Sequence, residues 1–273
     1  AGNQMALRET TMTADPASSA VTAKLRDLRI AFPRPDDDPL LVIDGISLSV
    51  AEGEFVAVVG PSGSGKSTIL RAMCGLLAPQ SGDVIVNGRH VTETPAEVGF
   101  MFQKDALLPW RTVAENIRVG AELGGTPSSE RADQVAGLIR LLRLEGFENA
   151  WPKQLSGGMR QRVSLGRLLA YRPSLMLMDE PFGALDYQTK IAMGFELLRV
   201  WEAERRSIVF VTHDIEEAVA LADRVVVFSA RPATIVAEYK VDLPRPRHTR
   251  AMRQDPAFTQ LTDAIWSDLA LPD

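Results

Sequence analysis

The stretch Phe55-Val56-Ala57-Val58-Val59-Gly60-Pro61-Ser62-Gly63-Ser64-Gly65-Lys66-Ser67-Thr68 decides how the rest of the chain is read. Its first five residues are apolar without alternation, the pattern of a parallel strand covered on both faces. Residues 60–68 then match G-x-x-x-x-G-K-[ST]. The glycines at 60, 63 and 65 let the backbone curl so that successive N–H groups face an anion. A helix expected from Lys66 to Cys74, stopped by Gly75, adds the positive end of its dipole. In this pattern the lysine, Lys66, reaches the β- and γ-phosphates of a nucleoside triphosphate, and the hydroxyl of Ser67 ligates Mg²⁺. Strand, glycine-rich turn and helix follow one another in the order the motif requires.

A second strand supplies the acids. Leu175-Met176-Leu177-Met178-Asp179-Glu180 is apolar until it ends in two carboxylates. Two adjacent acids are costly inside a buried sheet. They fit at the carboxyl end of a parallel strand, where α/β proteins bind ligands. Asp179 is placed to hold Mg²⁺, directly or through water. Glu180 is placed to polarise a water in line with the γ-phosphate, a role that contributes roughly 10²–10⁴-fold.

Outward from these motifs the chain reads as an α/β protein. Strands are expected at Leu25–Phe32, Ile46–Val50, Asp83–Val86 and Val98–Phe102, with a Pro/Asp loop at Pro33–Pro39. From about Thr112 to Tyr171 helical spacing dominates, in the pieces Thr112–Leu123, Ser129–Leu142 and Gly157–Tyr171, with Ser128 or Ser129 as a cap of the second. Strand and helix then alternate through Leu175–Asp179, Tyr187–Glu204, Ser207–Val211, Ile215–Ala222 and Arg224–Phe228, which argues for a parallel sheet wrapped by helices. The expected organisation is a disordered segment over 1–22, with Met5 or Met12 as a candidate start. An ATPase domain over 23–245 follows, carrying an inserted helical subdomain at about 112–171. A linker and helix close the chain over 246–273.

A third motif narrows the class. Leu155-Ser156-Gly157-Gly158-Met159-Arg160-Gln161-Arg162 resembles the signature of ATP-binding-cassette (ABC) proteins, and Ser156 lies 24 residues before Glu180. A helix start with a hydroxyl and bare glycine backbone is again suited to an anion. The resemblance runs from about Leu25 to Phe228. It implies a P-loop ATPase core with a parallel sheet, an antiparallel β portion and an inserted helical subdomain. It assigns Gln103 to Mg²⁺ and the attacking water, and to the start of the segment that meets a membrane subunit. It assigns Ala184-Leu185-Asp186 to a loop crossing the dimer interface, His213 to the γ-phosphate, and Phe32 to stacking on adenine, where many relatives carry Tyr. It further implies a head-to-tail dimer with two ATPs at the interface, in which Ser156, Gly157 and Gly158 serve the partner's nucleotide. Two positions depart from the family pattern: Met159 stands where Gln is common, and Gly183 where Ser is common.

The stretch Phe102–Asn116, above all its Leu107-Leu108-Pro109-Trp110 element, is similar to the importer subfamily for nitrate, sulfonates and taurine, as is the tail Val241-Asp242-Leu243-Pro244-Arg245-Pro246-Arg247 with its terminal helix. The likeness implies uptake of a small anion or nutrient, a separate permease, an extracytoplasmic substrate-binding protein, and a peripheral place at the cytoplasmic face of the membrane. Leu107, Leu108 and Trp110 read either as a permease dock or as a corner of the core. Export stays open, because such a subunit never touches cargo.

Bulk properties fit this reading. The 273 residues are 45% hydrophobic, enough for one large domain. Thirty Lys and Arg against 35 Asp and Glu leave a net charge of −5, so nucleic acid is not the expected partner. DNA-repair or ribosome-associated cassettes typically add a coiled-coil insertion or a second cassette, and a P-loop phosphotransferase would need neither Leu155–Gly158 nor the Asp179–Glu180 pair. No apolar run approaches the roughly 18 residues of a membrane span. The single cysteine, Cys74, is expected as a small buried residue, and Arg245, Arg247, Arg250 and Arg253 as a solvated linker.

Overall fold

A computed structural model describes residues 20–35, 37–183, 185–245, 247 and 252–269. Its strands are β1 (Val21–Arg34), β2 (Asp37–Ala51), β3 (Phe55–Val59), β4 (Ser81–Val86), β5 (Arg89–His90), β6 (Val98–Met101), β7 (Leu175–Asp179), β8 (Ser207–Val211), β9 (Arg224–Phe228) and β10 (Ile235–Lys240). Its helices are α1 (Lys66–Met73), α2 (Val113–Leu123), α3 (Arg131–Leu141), α4 (Gly157–Tyr171), α5 (Tyr187–Glu204), α6 (Ile215–Leu221) and α7 (Pro256–Leu269). A six-stranded sheet runs β10-β9-β3-β8-β7-β6, parallel except for the antiparallel β9–β10 pair, and a four-stranded antiparallel sheet runs β2-β1-β4-β5.

The central sheet is buried on both faces, and successive side chains divide between two cores. Phe55, Ala57 and Val59 of β3 join Met176, Met178, Ile208 and Phe210 on the side covered by the helices. Val56 and Val58 join Leu175, Leu177, Val209 and Val211 on the side covered by α1 and the antiparallel sheet. All five β3 side chains are fully buried, each large one worth roughly 1.5–3 kcal/mol. On the helix side Phe55 meets Trp201 edge-on at 5.8 Å between ring centroids, and Phe182 and Phe210 lie equally close.

The helices α2, α3 and α4 lie between β6 and β7 in sequence and carry no strand among them. Glycine lets α2 and α4 touch: a Cβ on Gly120 would stand 2.0 Å from the Arg167 carbonyl oxygen. Thr112 begins α2 with a capping box, its hydroxyl accepting from the Glu115 N–H while the Glu115 carboxylate accepts from the Thr112 N–H. Among the described residues no helix is long and apolar enough to cross a membrane.

The structure corrects several expectations. Residues 1–19 of the expected disordered segment lie outside the described residues, but Val21 and Thr22 already belong to β1, and Thr22 is buried. The expected loop Pro33–Pro39 is a hairpin: β1 runs to Arg34, β2 starts at Asp37, and Arg34 Nη1 meets Asp37 Oδ2 at 2.8 Å. Prolines are tolerated there because β1 pairs with β4 only as far as Arg29, leaving the hairpin tip without a ladder on that side. Neither Ser128 nor Ser129 caps α3. Glu130 occupies that position without a side-chain bond, and the Pro127 carbonyl accepts from the Glu130 and Arg131 N–H groups instead. β5 and β10 are strands the sequence reading did not anticipate.

The expected solvated Arg linker is partly a buried anchor. Arg247 is only 5% exposed and donates to the carbonyls of Leu243, Val241 and Ala222. Arg245 donates to Leu221 O and Asp223 Oδ1 and covers the Trp201 ring at 4.3 Å. Arg250 and the side chain of Arg253 lie outside the described residues. Cys74 is buried as expected, and burial pushes its thiol pKa up.

Candidate functional site

Four adjacent parallel strands, β3, β8, β7 and β6, end at the same side of the sheet, and each delivers a polar residue there. β3 leads into the loop 60–65 and α1. The α1 N-cap, Gly65, has a left-handed φ of 98°, and no side chain caps the helix. The N–H groups of its first turn therefore remain available to an anion. Gly65 must also be bare because β2 lies against it: an added Cβ would come within 2.7 Å of Ile43 and 2.8 Å of Val42. Ser64 beneath the loop is buried, with no partner for its hydroxyl among the described residues, whereas Pro61 is half-buried and Ser62 and Gly63 are exposed. Thr68, one turn into α1, is half-buried.

Lys66 is 6% exposed and donates to the carbonyls of Gly60 and Pro61, both at 2.8 Å. Burial lowers its pKa, and the nearby Glu180 and Asp179 carboxylates oppose that shift. The next residue, Ser67, donates its hydroxyl to Asp179 Oδ1 at 2.8 Å, tying α1 to the end of β7. Burial raises the Asp179 pKa against the pull of that hydrogen bond.

Glu180 follows in a left-handed conformation, φ 45°, unusual for a residue with a Cβ. Its N–H donates to Val211 O at 2.9 Å and its carbonyl accepts from the Gly183 N–H at 3.1 Å. The strained turn aims its carboxylate between two further strand ends. Gln103, after β6, donates from Nε2 to Glu180 Oε2 at 3.1 Å. His213, after β8, places Nδ1 3.4 Å from the same oxygen. Lys66, Ser67, Asp179, Glu180, Gln103 and His213 thus form one constellation. A serine hydroxyl, a carboxylate and an amide oxygen are hard donors suited to Mg²⁺. Among the described residues no group of three or more His, Cys, Asp or Glu could hold a metal alone. A cation at Ser67 and Asp179 would complete its shell with phosphate oxygens and water, as Mg²⁺ prefers.

The signature segment stands apart. Ser156 caps α4, its hydroxyl accepting from the Met159 N–H at 3.2 Å, and Ser156 and Gly157 are exposed. Among the described residues no hydrogen bond joins Ser156 to the Lys66–Glu180 constellation. Gly158 abuts Leu185 and Thr189, and Asp186 caps α5 by accepting from Thr189 N at 3.0 Å and Thr189 Oγ1 at 2.6 Å. Those bonds lower the Asp186 pKa. Ala184 lies outside the described residues. Met159 packs against the helix-side core, and Gly183 leaves the space beside the Glu180 carboxylate open. Phe32 is half-exposed on β1, whose partner β2 supplies Val42 and Ile43 to the phosphate loop.

Sequence reasoning missed the ties between α4 and the Gln103 loop. Gln161 Nε2 donates to Gln103 O at 3.0 Å, Arg160 Nε to Asp105 Oδ2 at 2.6 Å, and Arg167 Nη2 to Ala106 O at 3.0 Å. Buried Asn116 shapes the following turn, donating to the Leu108, Arg111 and Thr112 carbonyls and accepting from Leu108 N–H. Leu107 and Leu108 are half-buried while Trp110 is 67% exposed, so the apolar segment divides between core and surface. A cleft of about 660 Å³ between α5 and α6 has Lys190, Asp214, Glu217, Arg247 and Phe258 among its walls and none of the six residues of this constellation.

Known proteins bear the same stamp. Residues 43–183 match the family described as ABC transporter. An uncharacterized ABC transporter ATP-binding protein of Methanocaldococcus jannaschii is 50% identical over 75% of this chain and 77% of its own. The nitrate import ATP-binding protein NrtD of Synechocystis sp. is 44% identical over 84% and 88%, and the taurine import ATP-binding protein TauB of Rhizobium johnstonii is 40% identical over 82% and 87%. A dimeric ATP-binding cassette solved in a post-hydrolysis state with ADP and Pi superposes with a TM-score of 0.72 at 30% identity, covering 81% of this chain and all of that one. With the phosphate loop, the acidic strand end and the signature helix in place, the chain belongs to the ABC transporter family as an ATP-binding, ATP-hydrolysing subunit.

Proposed function

We propose that this chain is the motor of an ABC importer: it closes on a second copy of itself around two ATPs, hydrolyses them, and passes the movement to a separate membrane permease. One observation carries this reading. The phosphate loop, the acids and His213 converge at one sheet end, whereas Ser156 is exposed and, among the described residues, shares no hydrogen bond with them, which leaves it free for the nucleotide of a partner.

In this mechanism Lys66 exchanges the Gly60 and Pro61 carbonyls for β- and γ-phosphate oxygens, and the α1 N–H groups hold the rest of the chain of phosphates. Ser67, Asp179 and Gln103 would hold Mg²⁺, which would neutralise charge on the phosphates. Glu180 takes the proton of the attacking water. Gln103 and His213, both already on Glu180 Oε2, orient that water and contact the γ-phosphate. Phe32 stacks on adenine. Ser156, Gly157 and Gly158 of one copy bind the γ-phosphate of the other, and Asp186 borders the same interface. Swinging an open dimer from 1:99 to 99:1 closed takes about 5.5 kcal/mol of differential binding. Two bridging triphosphates held by charge-assisted bonds are suited to supply it.

Exposed Trp110 and Phe102, beside Gln103, are the proposed dock for the permease. The hydrogen bonds from α4 to Gln103 and Asp105 would carry movement of the signature helix to that dock. The relatives named for nitrate and taurine import favour a small anion or nutrient as cargo, delivered by an extracytoplasmic binding protein, with this subunit peripheral at the cytoplasmic face of the membrane. Affinity purification of the chain from its native membranes, followed by mass spectrometry, tests the reading. A multi-span permease with a secreted binding protein is expected. A permease without a binding protein would point to export, and DNA-bound or ribosomal partners without a permease would refute the transport role.

A further inference from the structure

The residues on both sides of His213 are fastened directly to α6, and to α5 through one ammonium. Before it, the buried Thr212 hydroxyl donates to Glu217 Oε2 on α6. After it, Asp214 caps α6, with Oδ1 accepting from the Glu217 N–H at 3.0 Å, and the Asp214 N–H donates back to Thr212 Oγ1 at 3.1 Å. The Lys190 ammonium of α5 donates to Asp214 Oδ2 at 2.8 Å and lies 3.7 Å from Glu217 Oε1. The Lys190 N–H in turn donates to Asp186 O at 2.9 Å, one turn from the start of α5.

This cluster is poorly built as a stabilising device. The Lys190 side chain is 17% exposed and that of Glu217 only 9%, and two carboxylates share one ammonium. Among the described residues Glu217 Oε1 has no hydrogen-bond partner. A buried ion pair adds little net stability, because desolvation offsets the attraction, although removing one partner leaves an uncompensated buried charge. The geometry fixed here is that of the turn 212–214, and through Asp186 it is shared with the loop leading from Glu180 into α5.

We propose that Lys190, together with Asp214 and Glu217, is a positioning clamp for ATP hydrolysis: it sets His213 against Glu180 and couples that setting to the loop that ends at Asp186. The proposal rests on the reading of His213 as a γ-phosphate contact. Lys190 touches neither nucleotide nor water in this scheme, so its loss acts through His213 and leaves ATP capture by Lys66 and the phosphate loop intact.

The test is steady-state ATPase kinetics of the full chain, with thermal melts as a check on folding. Lys190→Met is expected to lower kcat roughly 10- to 100-fold while the KM for ATP changes less than about twofold, and Lys190→Arg to recover most of the rate. Asp214→Asn, which keeps a capping side chain, is expected to lower kcat with the melt preserved, and it decides the matter if Lys190→Met does not fold. Adding Lys190→Met to His213→Ala should cost no further rate, whereas a merely structural lysine would slow the double variant again. Wild-type kcat in a folded Lys190→Met or Asp214→Asn variant, or a loss confined to KM, overturns the clamp. Wild-type kcat in His213→Ala would instead overturn the reading of His213 itself.

Discussion

Gly120→Ala isolates the contact on which the geometry of the helical layer depends. The added Cβ would sit 2.0 Å from Arg167 O, where ordinary contact begins at 3.4 Å, so α2 and α4 must part by about 1.4 Å. The nearest atoms in the way are backbone, with Arg167 C at 2.9 Å behind the oxygen, and the next is the rotamer-free Cβ of Ala170 at 3.1 Å, so no rotamer change relieves the clash. Overpacking of this kind costs about 3 kcal/mol at the severe end of its range. Alanine returns about 1 kcal/mol of helix propensity. The net loss of about 2 kcal/mol corresponds to a melting temperature lower by roughly 4–8 °C in a chain of this size. Because α4 also holds the Gln103 loop through Arg160, Gln161 and Arg167, the variant should lose kcat for ATP while keeping its affinity for nucleotide. Differential scanning calorimetry and ATPase kinetics read the two effects. A melting temperature that rises, as propensity alone would dictate, would refute the close-packing argument.

Lys66→Ala removes the buried ammonium that the phosphate loop holds ready, and a fluorescent-nucleotide titration should show affinity weakened at least about tenfold. Arg247→Met strips donors from the Leu243, Val241 and Ala222 carbonyls, each orphaned acceptor costing about 1–3 kcal/mol. Limited proteolysis should then cut before α7 sooner than in the parent. Burial pushes the Glu217 pKa from an ordinary 4.5 up to about 7. Across that window the folded state keeps a proton that the unfolded chain releases, so this group withdraws stability as pH rises from about 4.5 to about 7, by about 3 kcal/mol in all. Glu217→Gln cannot titrate, and its melting temperature should lose that downward slope. An identical slope in the variant would show that Glu217 is not its source.

The central sheet and the constellation at its edge were legible because their residues are constrained twice. β3, β7, β8 and β9 must be apolar on both faces, and the residue at each strand end must be polar for its own chemistry. Asp179 and Glu180 stood out for that reason, Gly60–Thr68 because its spacing is dictated by a phosphate chain, and Gln103 and His213 only through the resemblance to ATP-binding cassettes. What escaped was decided by pairing. Pro33 and Pro39 read as loop, yet a hairpin tip free on one side accommodates both. β5 has two residues and exists only because β4 lies beside it. Arg245 and Arg247 read as solvated, since nothing local shows that the carbonyls of residues 221, 222, 241 and 243 converge on them. The bonds from Arg160, Gln161 and Arg167 to the Gln103 loop span 55 to 61 residues, a distance at which sequence pattern carries no signal.

The most direct test of the account is sedimentation velocity of Glu180→Gln with and without MgATP, alongside its rate of phosphate release. The account predicts a monomer that becomes a dimer retaining two ATPs, with hydrolysis slowed roughly 10²–10⁴-fold. Hydrolysis at the wild-type rate would remove Glu180 from the chemistry, and ATP binding without dimer formation would contradict the shared site on which the proposed motor depends.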